Sequence, residues 1–256
     1  MWRAPLVVAA VLLGACGVPG GEEPQPPTYA ALGDSFSSGE GAGGYDAAPA
    51  DCRRSRQAWP RLLDAGVELR ACSGARTEHL TGPWPSRGLP PQIPTEPDPA
   101  VALVTLTIGG NEAGFGDILE ACVVSACPSP SDLDLTALAD ALVDTVYPAL
   151  EAAYPNARIV HVGYPRLTPP PGDPVGACFW LPPSDQAAAA GFVDAINGAI
   201  EAAVAASATD VGYLDVTSAL ADHELCTPSP WVTLVGRAHP TAAGQQALRQ
   251  AVAAAL

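Results

Sequence analysis

A chain of 256 residues that is 48% hydrophobic and only 15% charged carries enough apolar side chains for one large domain, which argues against a disordered chain. Its 12 basic residues, all of them arginine, face 27 acidic ones for a net charge of −15. Such a surface offers no general attraction to nucleic-acid phosphates or to an anionic bilayer, so a small or uncharged substrate fits better and no nucleic-acid partner is expected.

The first segment reads as a targeting element. Met1-Trp2-Arg3 carries one positive charge, and Leu6 to Leu13 is an apolar run shorter than the roughly 20 residues that span a bilayer, which predicts an export signal over 1–15. Leu13-Gly14-Ala15-Cys16 resembles a bacterial lipoprotein cleavage box, so Cys16 is expected to be acylated and to form the mature N-terminus, with ordinary secretion as the alternative. Residues 17–27, GVPGGEEPQPP, have the Pro/Gly composition of a tether and reach on the order of 35 Å fully extended. The chain is thus expected to be extracytoplasmic, held by an N-terminal lipid anchor or secreted. Residues 28–256 then form one domain, expected to be a monomer.

Beyond the tether, short β-prone runs alternate with helical ones. Thr28 to Leu32 predicts a strand ending at Gly33, Gln57 to Ala65 a helix with Pro60 in its first turn, and Val67 to Ala71 a second strand. Ala100 to Ile108, AVALVTLTI, is apolar on both faces, as a central parallel strand should be. Leu133 to Ala153 predicts a long amphipathic helix kinked or divided at Pro148. Ala157 to Val162 and Val211 to Val216 predict two more strands, Asp185 to Ala206 and Thr241 to Leu256 two more helices. Strands separated by helices imply crossover connections and a five-stranded parallel sheet in an α/β fold.

Setting Cys16 aside leaves six cysteines, an even number in an exported chain, with no paired spacing of a zinc site. The simplest pairing joins nearest neighbours: Cys52 with Cys72, Cys122 with Cys127, Cys178 with Cys226.

In open parallel sheets, ligands bind beyond the carboxyl ends of the strands. Three such ends carry polar, glycine-rich turns: Gly33-Asp34-Ser35, Cys72-Ser73-Gly74 and Gly109-Gly110-Asn111-Glu112. A serine nucleophile needs a base for its proton, and a tetrahedral intermediate needs donors aimed at its oxyanion. Ser35 sits where a strand turns into a helix, Gly74 can present a bare N–H, and Asn111 a side-chain amide. Among four histidines His239, just before the last helix, is the best base; His161 lies within a strand, and His79 and His223 lie on loops or helix edges. Asp34 is expected to tie down its turn. Arg53, Arg54 and Arg56 read as a solvated surface patch. Gly39, Gly41 and Gly44 match a dinucleotide-binding spacing only formally and read as a loop beside the nucleophile. Trp84, Trp180 and Trp231 either line an acyl pocket or pack on loop prolines.

Taken in order, GDSFSSGEG, CSGA, IGGNE and AHPT resemble the four blocks of the SGNH (GDSL) hydrolases over nearly the whole mature chain. CRRSRQAWPRLL, LVTLTIGGN, DHELC and the six-cysteine layout are similar to the actinobacterial secreted lipase/esterase branch. The resemblance implies a flavodoxin-like three-layer α/β/α sandwich, with Ser35 as nucleophile and His239 as base. It also implies an oxyanion hole of the Ser35 and Gly74 amides plus Asn111, and no metal or other cofactor.

Two departures stand out. Glu112 replaces the usual Asp after Asn111, which is expected to alter local hydrogen bonding. Gly236 stands where most members carry an Asp three residues before the histidine; resemblance to members of the actinobacterial branch that use a main-chain carbonyl at that position implies a Ser35–His239 dyad oriented by the Gly236 carbonyl, with Asp215 and Asp222 as remote substitutes. The expected activity is hydrolysis of carboxylic esters through an acyl-enzyme, on a small-molecule or lipid ester. A phospholipase or carbohydrate deacetylase using the same site is one alternative, a non-catalytic envelope lipoprotein another.

Overall fold

Five runs rich in β-branched and small apolar residues form the central sheet: β1 (Tyr29–Gly33), β2 (Glu68–Leu69), β3 (Leu103–Thr107), β4 (Arg158–Val162) and β5 (Val211–Leu214). The computed structural model describes Met1 and residues 28–125, 127–170, 178, 180–234 and 238–256. The expected export signal over 1–15, Cys16, the expected tether over 17–27 and Gly236 lie outside the described residues. All neighbouring strands of the sheet run parallel in the order β2-β1-β3-β4-β5, the flavodoxin-like order. From β1 the chain moves outward to β2, then returns across β1 to β3. The crevice this reversal opens lies beyond the carboxyl ends of β1 and β3.

Alternation along each strand sends apolar side chains to both faces, so each face needs a helical layer. Ala30, Leu32, Val104, Leu106 and Ile159 join the larger core under α4 (Phe115–Val124), α5 (Thr136–Ala141), α6 (Tyr147–Ala153) and α7 (Pro183–Ala206). Val160, Val162 and Leu214 pack on the opposite face against Trp59 of α2 (Trp59–Leu63) and Leu248 and Val252 of α8 (Ala242–Ala255). The single turns α1 (Ser35–Ser38) and α3 (Glu78–Thr81) complete the helices used below.

The predicted helix over 133–153 contains a π turn, Leu142–Val146, between α5 and α6. Pro148 has no N–H to donate, and the wider turn, with Tyr147 N–H bonded to the Leu142 carbonyl, lets the chain pass the proline without breaking. Pro60 sits in the first turn of α2, where no donor is lost. Disulfides join Cys52 to Cys72, Cys122 to Cys127 and Cys178 to Cys226.

Two features depart from the sequence reading. Arg54 is not a solvated charge: its Nε donates to the Ala71 carbonyl at 2.8 Å and its Nη2 to the Arg70 carbonyl at 2.7 Å, clamping the end of β2 beside the Cys52–Cys72 bridge. A second, antiparallel pair, β6 (Val232–Thr233) and β7 (His239–Pro240), precedes α8 where no strand was expected. It sets His239 at the rim of the main sheet, and Thr241 then caps α8 by accepting the Gly244 N–H.

Candidate active site

The turn that carries Ser35 is built by Asp34. Its N–H donates to the Thr107 carbonyl at 2.9 Å, which ties the end of β1 to β3, and its Oδ1 accepts the Phe36 N–H at 2.9 Å, which caps α1. The Tyr164 hydroxyl donates to Asp34 Oδ2 at 2.6 Å and accepts the Gly110 N–H at 2.9 Å, joining three strand ends through one buried phenol. Burial pushes the Asp34 carboxyl up to about 7, against the opposing pull of Tyr164 and the Phe36 N–H. The Gln92 amide spans Gly33 from the side, accepting its N–H at 2.8 Å and donating to its carbonyl at 2.9 Å. Ser35 is thereby fixed as the first residue of a one-turn helix, where its N–H has no partner within the helix.

Across 204 positions of sequence, His239 Nε2 lies 2.7 Å from Ser35 Oγ. Both residues are buried, at 8% and 6% exposure, and the Phe36 ring packs 5.3 Å from the imidazole. In the tautomer that accepts the serine proton, Nε2 carries the lone pair and Nδ1 the hydrogen. The Gly236 carbonyl, expected to accept that Nδ1–H, lies outside the described residues.

Gly74, two residues beyond Cys72, has φ +80°, a left-handed conformation that glycine adopts readily. Asn111 Nδ2 donates one hydrogen to the Ala75 carbonyl at 2.8 Å, which leaves its second amide hydrogen for the cleft. Ser35, Gly74, Asn111 and His239 all line one cleft of about 390 Å³. Glu112 accepts the Thr77 N–H, tying the β3 turn to the segment after Gly74.

The cleft has two unlike sides. Phe115, Pro165, Val193 and Ile196, on segments after β3 and β4, make a mainly apolar wall that also carries Asp117, whereas Ser73, Arg76 and Arg87, after β2, make a polar one. Glu40, just past α1, also lines it.

The other histidines stand elsewhere. His161 is fully buried, its Nδ1 2.9 Å from the Tyr147 hydroxyl, and burial holds it at about 3, a neutral core imidazole. His79 stacks on Trp84 with centroids 3.8 Å apart, and His223 on Trp231 at 3.5 Å. None of Trp84, Trp180 and Trp231 lines the cleft. Asp215 accepts the Thr217 N–H at 2.7 Å in a local turn, and Asp222 has a positive φ of 67°. Residues 39–44 form the loop that follows α1.

Sequence reasoning passed over Tyr164, Gln92, Arg87 and Glu40. Only Glu40 carried a signal, its place within GDSFSSGEG.

Residues 31–247 match the GDSL-like lipase/acylhydrolase family. The chain is 36% identical to lipase 1 of Streptomyces coelicolor, over 94% of this chain and 90% of the relative, and 35% identical to a lipase of Streptomyces rimosus over the same shares. The fold is similar to the crystal structure of the extracellular lipase from Streptomyces rimosus, with a TM-score of 0.70 at 33% identity over 89% of this chain and 99% of that one. It is also similar to phospholipase A1 from Streptomyces albidoflavus, with a TM-score of 0.67 at 32% identity over 88% and 98%. The parallel sheet of SGNH type, the sequence match across its rim and the kinship over most of the chain agree: this chain belongs to the GDSL-like lipase/acylhydrolase family and is a serine hydrolase of carboxylic esters.

Proposed function

We propose that Ser35 is the nucleophile and His239 its base, a reading carried by the 2.7 Å contact between Ser35 Oγ and His239 Nε2. Ser35 Oγ attacks the ester carbonyl carbon while its proton passes to Nε2. The oxyanion is held by the N–H groups of Ser35 and Gly74 and the free amide hydrogen of Asn111. Collapse breaks the bond to the alcohol oxygen, which takes the proton from Nε2 and leaves. Water then attacks the acyl-enzyme, giving its proton to Nε2, and the acid departs as Ser35 regains a hydrogen. The Gly236 carbonyl receives the Nδ1–H throughout, which fixes the tautomer.

The substrate we propose is an amphiphilic ester, its acyl chain on the Phe115, Val193 and Ile196 wall and its alcohol toward the polar wall of Ser73, Arg76 and Arg87. The two arginines favour a second reading, a phospholipid whose phosphate meets them, in keeping with kinship to a phospholipase A1. An acyl-length series of p-nitrophenyl esters, run with Ser35→Ala as control, tests the first reading. Wild type should hydrolyse them and Ser35→Ala should not, and full activity in the variant overturns the nucleophile. Comparing triacylglycerol with phosphatidylcholine separates the two substrate classes.

We further propose export, with residues 1–15 removed, Cys16 lipidated, 17–27 as tether and 28–256 as one catalytic domain. The signal-like N-terminus, the three disulfides and kinship to an extracellular lipase support it. Metabolic labelling with a fatty acid, lost in Cys16→Ala, distinguishes anchoring from plain secretion.

A further inference from the structure

Glu40 stands on the same turn as the nucleophile, its N–H and that of Gly39 both donating to the Ser35 carbonyl, at 3.0 and 3.1 Å. Its backbone is therefore fixed relative to Ser35, and the Ser73 hydroxyl, which donates to Oε2, holds its carboxylate. Oε2 lies 3.9 Å from His239 Nε2, the nitrogen that faces Ser35 Oγ, and the two side chains are only 13% and 10% exposed. At that distance Glu40 makes no hydrogen bond to the imidazole and leaves Nε2 to the serine. It nevertheless acts on charge, because an anion about 4 Å away in a shielded cleft favours the protonated imidazole.

This matters where the chain departs from its family. Gly236 stands in the sequence where the usual aspartate would, and the main-chain carbonyl proposed above to orient the imidazole would bring no full negative charge. We infer that Glu40 is the charge partner of the His239 imidazolium, supplying from the serine side the negative charge that a triad aspartate would supply from the other. The inference rests on His239 being the base.

Other ionisable groups lie in or beside the cleft. Arg53 approaches Glu40 Oε1 at 4.0 Å, but its side chain is 53% exposed and solvent weakens its pull. Arg76 and Arg87 stand on the polar wall, with Arg87 Nη1 bonded to the Ser73 carbonyl at 2.8 Å. Asp34 is engaged by Phe36 and Tyr164, and Asp117 also lines the cleft. The remaining contact of Glu40 is the Ser73 hydroxyl, which donates to Oε2. A purely structural Glu40 would act through that bond, by holding the loop that carries Gly74.

Glu40→Gln separates the two roles, since it keeps an oxygen for Ser73 and removes the charge. Ser73→Ala does the reverse. The measurement is the pH profile of kcat/KM on a soluble ester, with rates normalised to active sites by titration with a fluorophosphonate. In Glu40→Gln the acid limb should move down by about one pH unit and the plateau fall about tenfold, a slower enzyme that works at lower pH. In Ser73→Ala the limb should stay in place. A limb unmoved in Glu40→Gln, or moved equally in Ser73→Ala, overturns the assignment while leaving the base intact. An active His239→Gln overturns the base, and this inference with it.

Discussion

Gly41 and His239 meet without room for a side chain: a Cβ on Gly41 would lie 2.8 Å from His239 Cβ and 2.7 Å from the Pro240 carbonyl oxygen. At φ +91° the backbone of Gly41 is also one that only glycine adopts readily. The glycine-rich loop thus seats His239 against the turn that carries Ser35. Gly41→Ala should displace the imidazole from Ser35, lowering kcat at least tenfold and stability by about 1–3 kcal/mol. Kinetics and a urea melt check both.

Asn111 is expected to matter for the transition state alone. Asn111→Ala removes one proposed oxyanion donor, and kcat should fall by about 10²–10³ with KM nearly unchanged. A rise in KM at constant kcat would instead assign the amide to ground-state binding.

Arg54 illustrates a charge that serves structure. Arg54→Met removes both bonds to the carbonyls of Arg70 and Ala71, at the base of the segment that carries Gly74. It should cost about 2 kcal/mol in chemical denaturation.

Asp34 and His161 pull the pH dependence of stability in opposite directions. Asp34 rises on folding from 3.8 to about 7, so the native state holds the extra proton and stability from this group is lost as pH climbs through 7. His161 falls from 6.5 to about 3, so the unfolded state holds the extra proton and stability is lost as pH drops below 6.5. Each slope reaches at most about 1.4 kcal/mol per pH unit, and between about pH 4 and 6.5 they oppose one another. Asp34→Asn should steepen the loss of stability on acidification over that window, and His161→Gln should flatten it, as read by urea midpoints at stepped pH.

The strands were legible because runs such as AVALVTLTI are apolar on both faces, a pattern that a buried parallel strand demands. The long helices were legible from periodicity, and the GDS turn, Gly74, Asn111 and His239 from their places at strand ends and before α8. Less visible were features that depend on contacts between distant segments. Two-residue strands such as β6 and β7 leave no periodicity to read. Tyr164 and Gln92 look like ordinary loop residues until the fold brings one to Asp34 and the other to Gly33. Arg54 resembles any surface arginine, since the carbonyls it holds belong to β2 and the residues just beyond it. The π turn was foreshadowed only by Pro148.

The most direct test of the whole account is intact-mass and peptide mapping of the protein after reaction with a fluorophosphonate, compared with Ser35→Ala and His239→Gln. The account predicts a single adduct on Ser35 in the wild type, no adduct in Ser35→Ala and strongly slowed labelling in His239→Gln. An adduct on another residue, or labelling of His239→Gln at the wild-type rate, would contradict it.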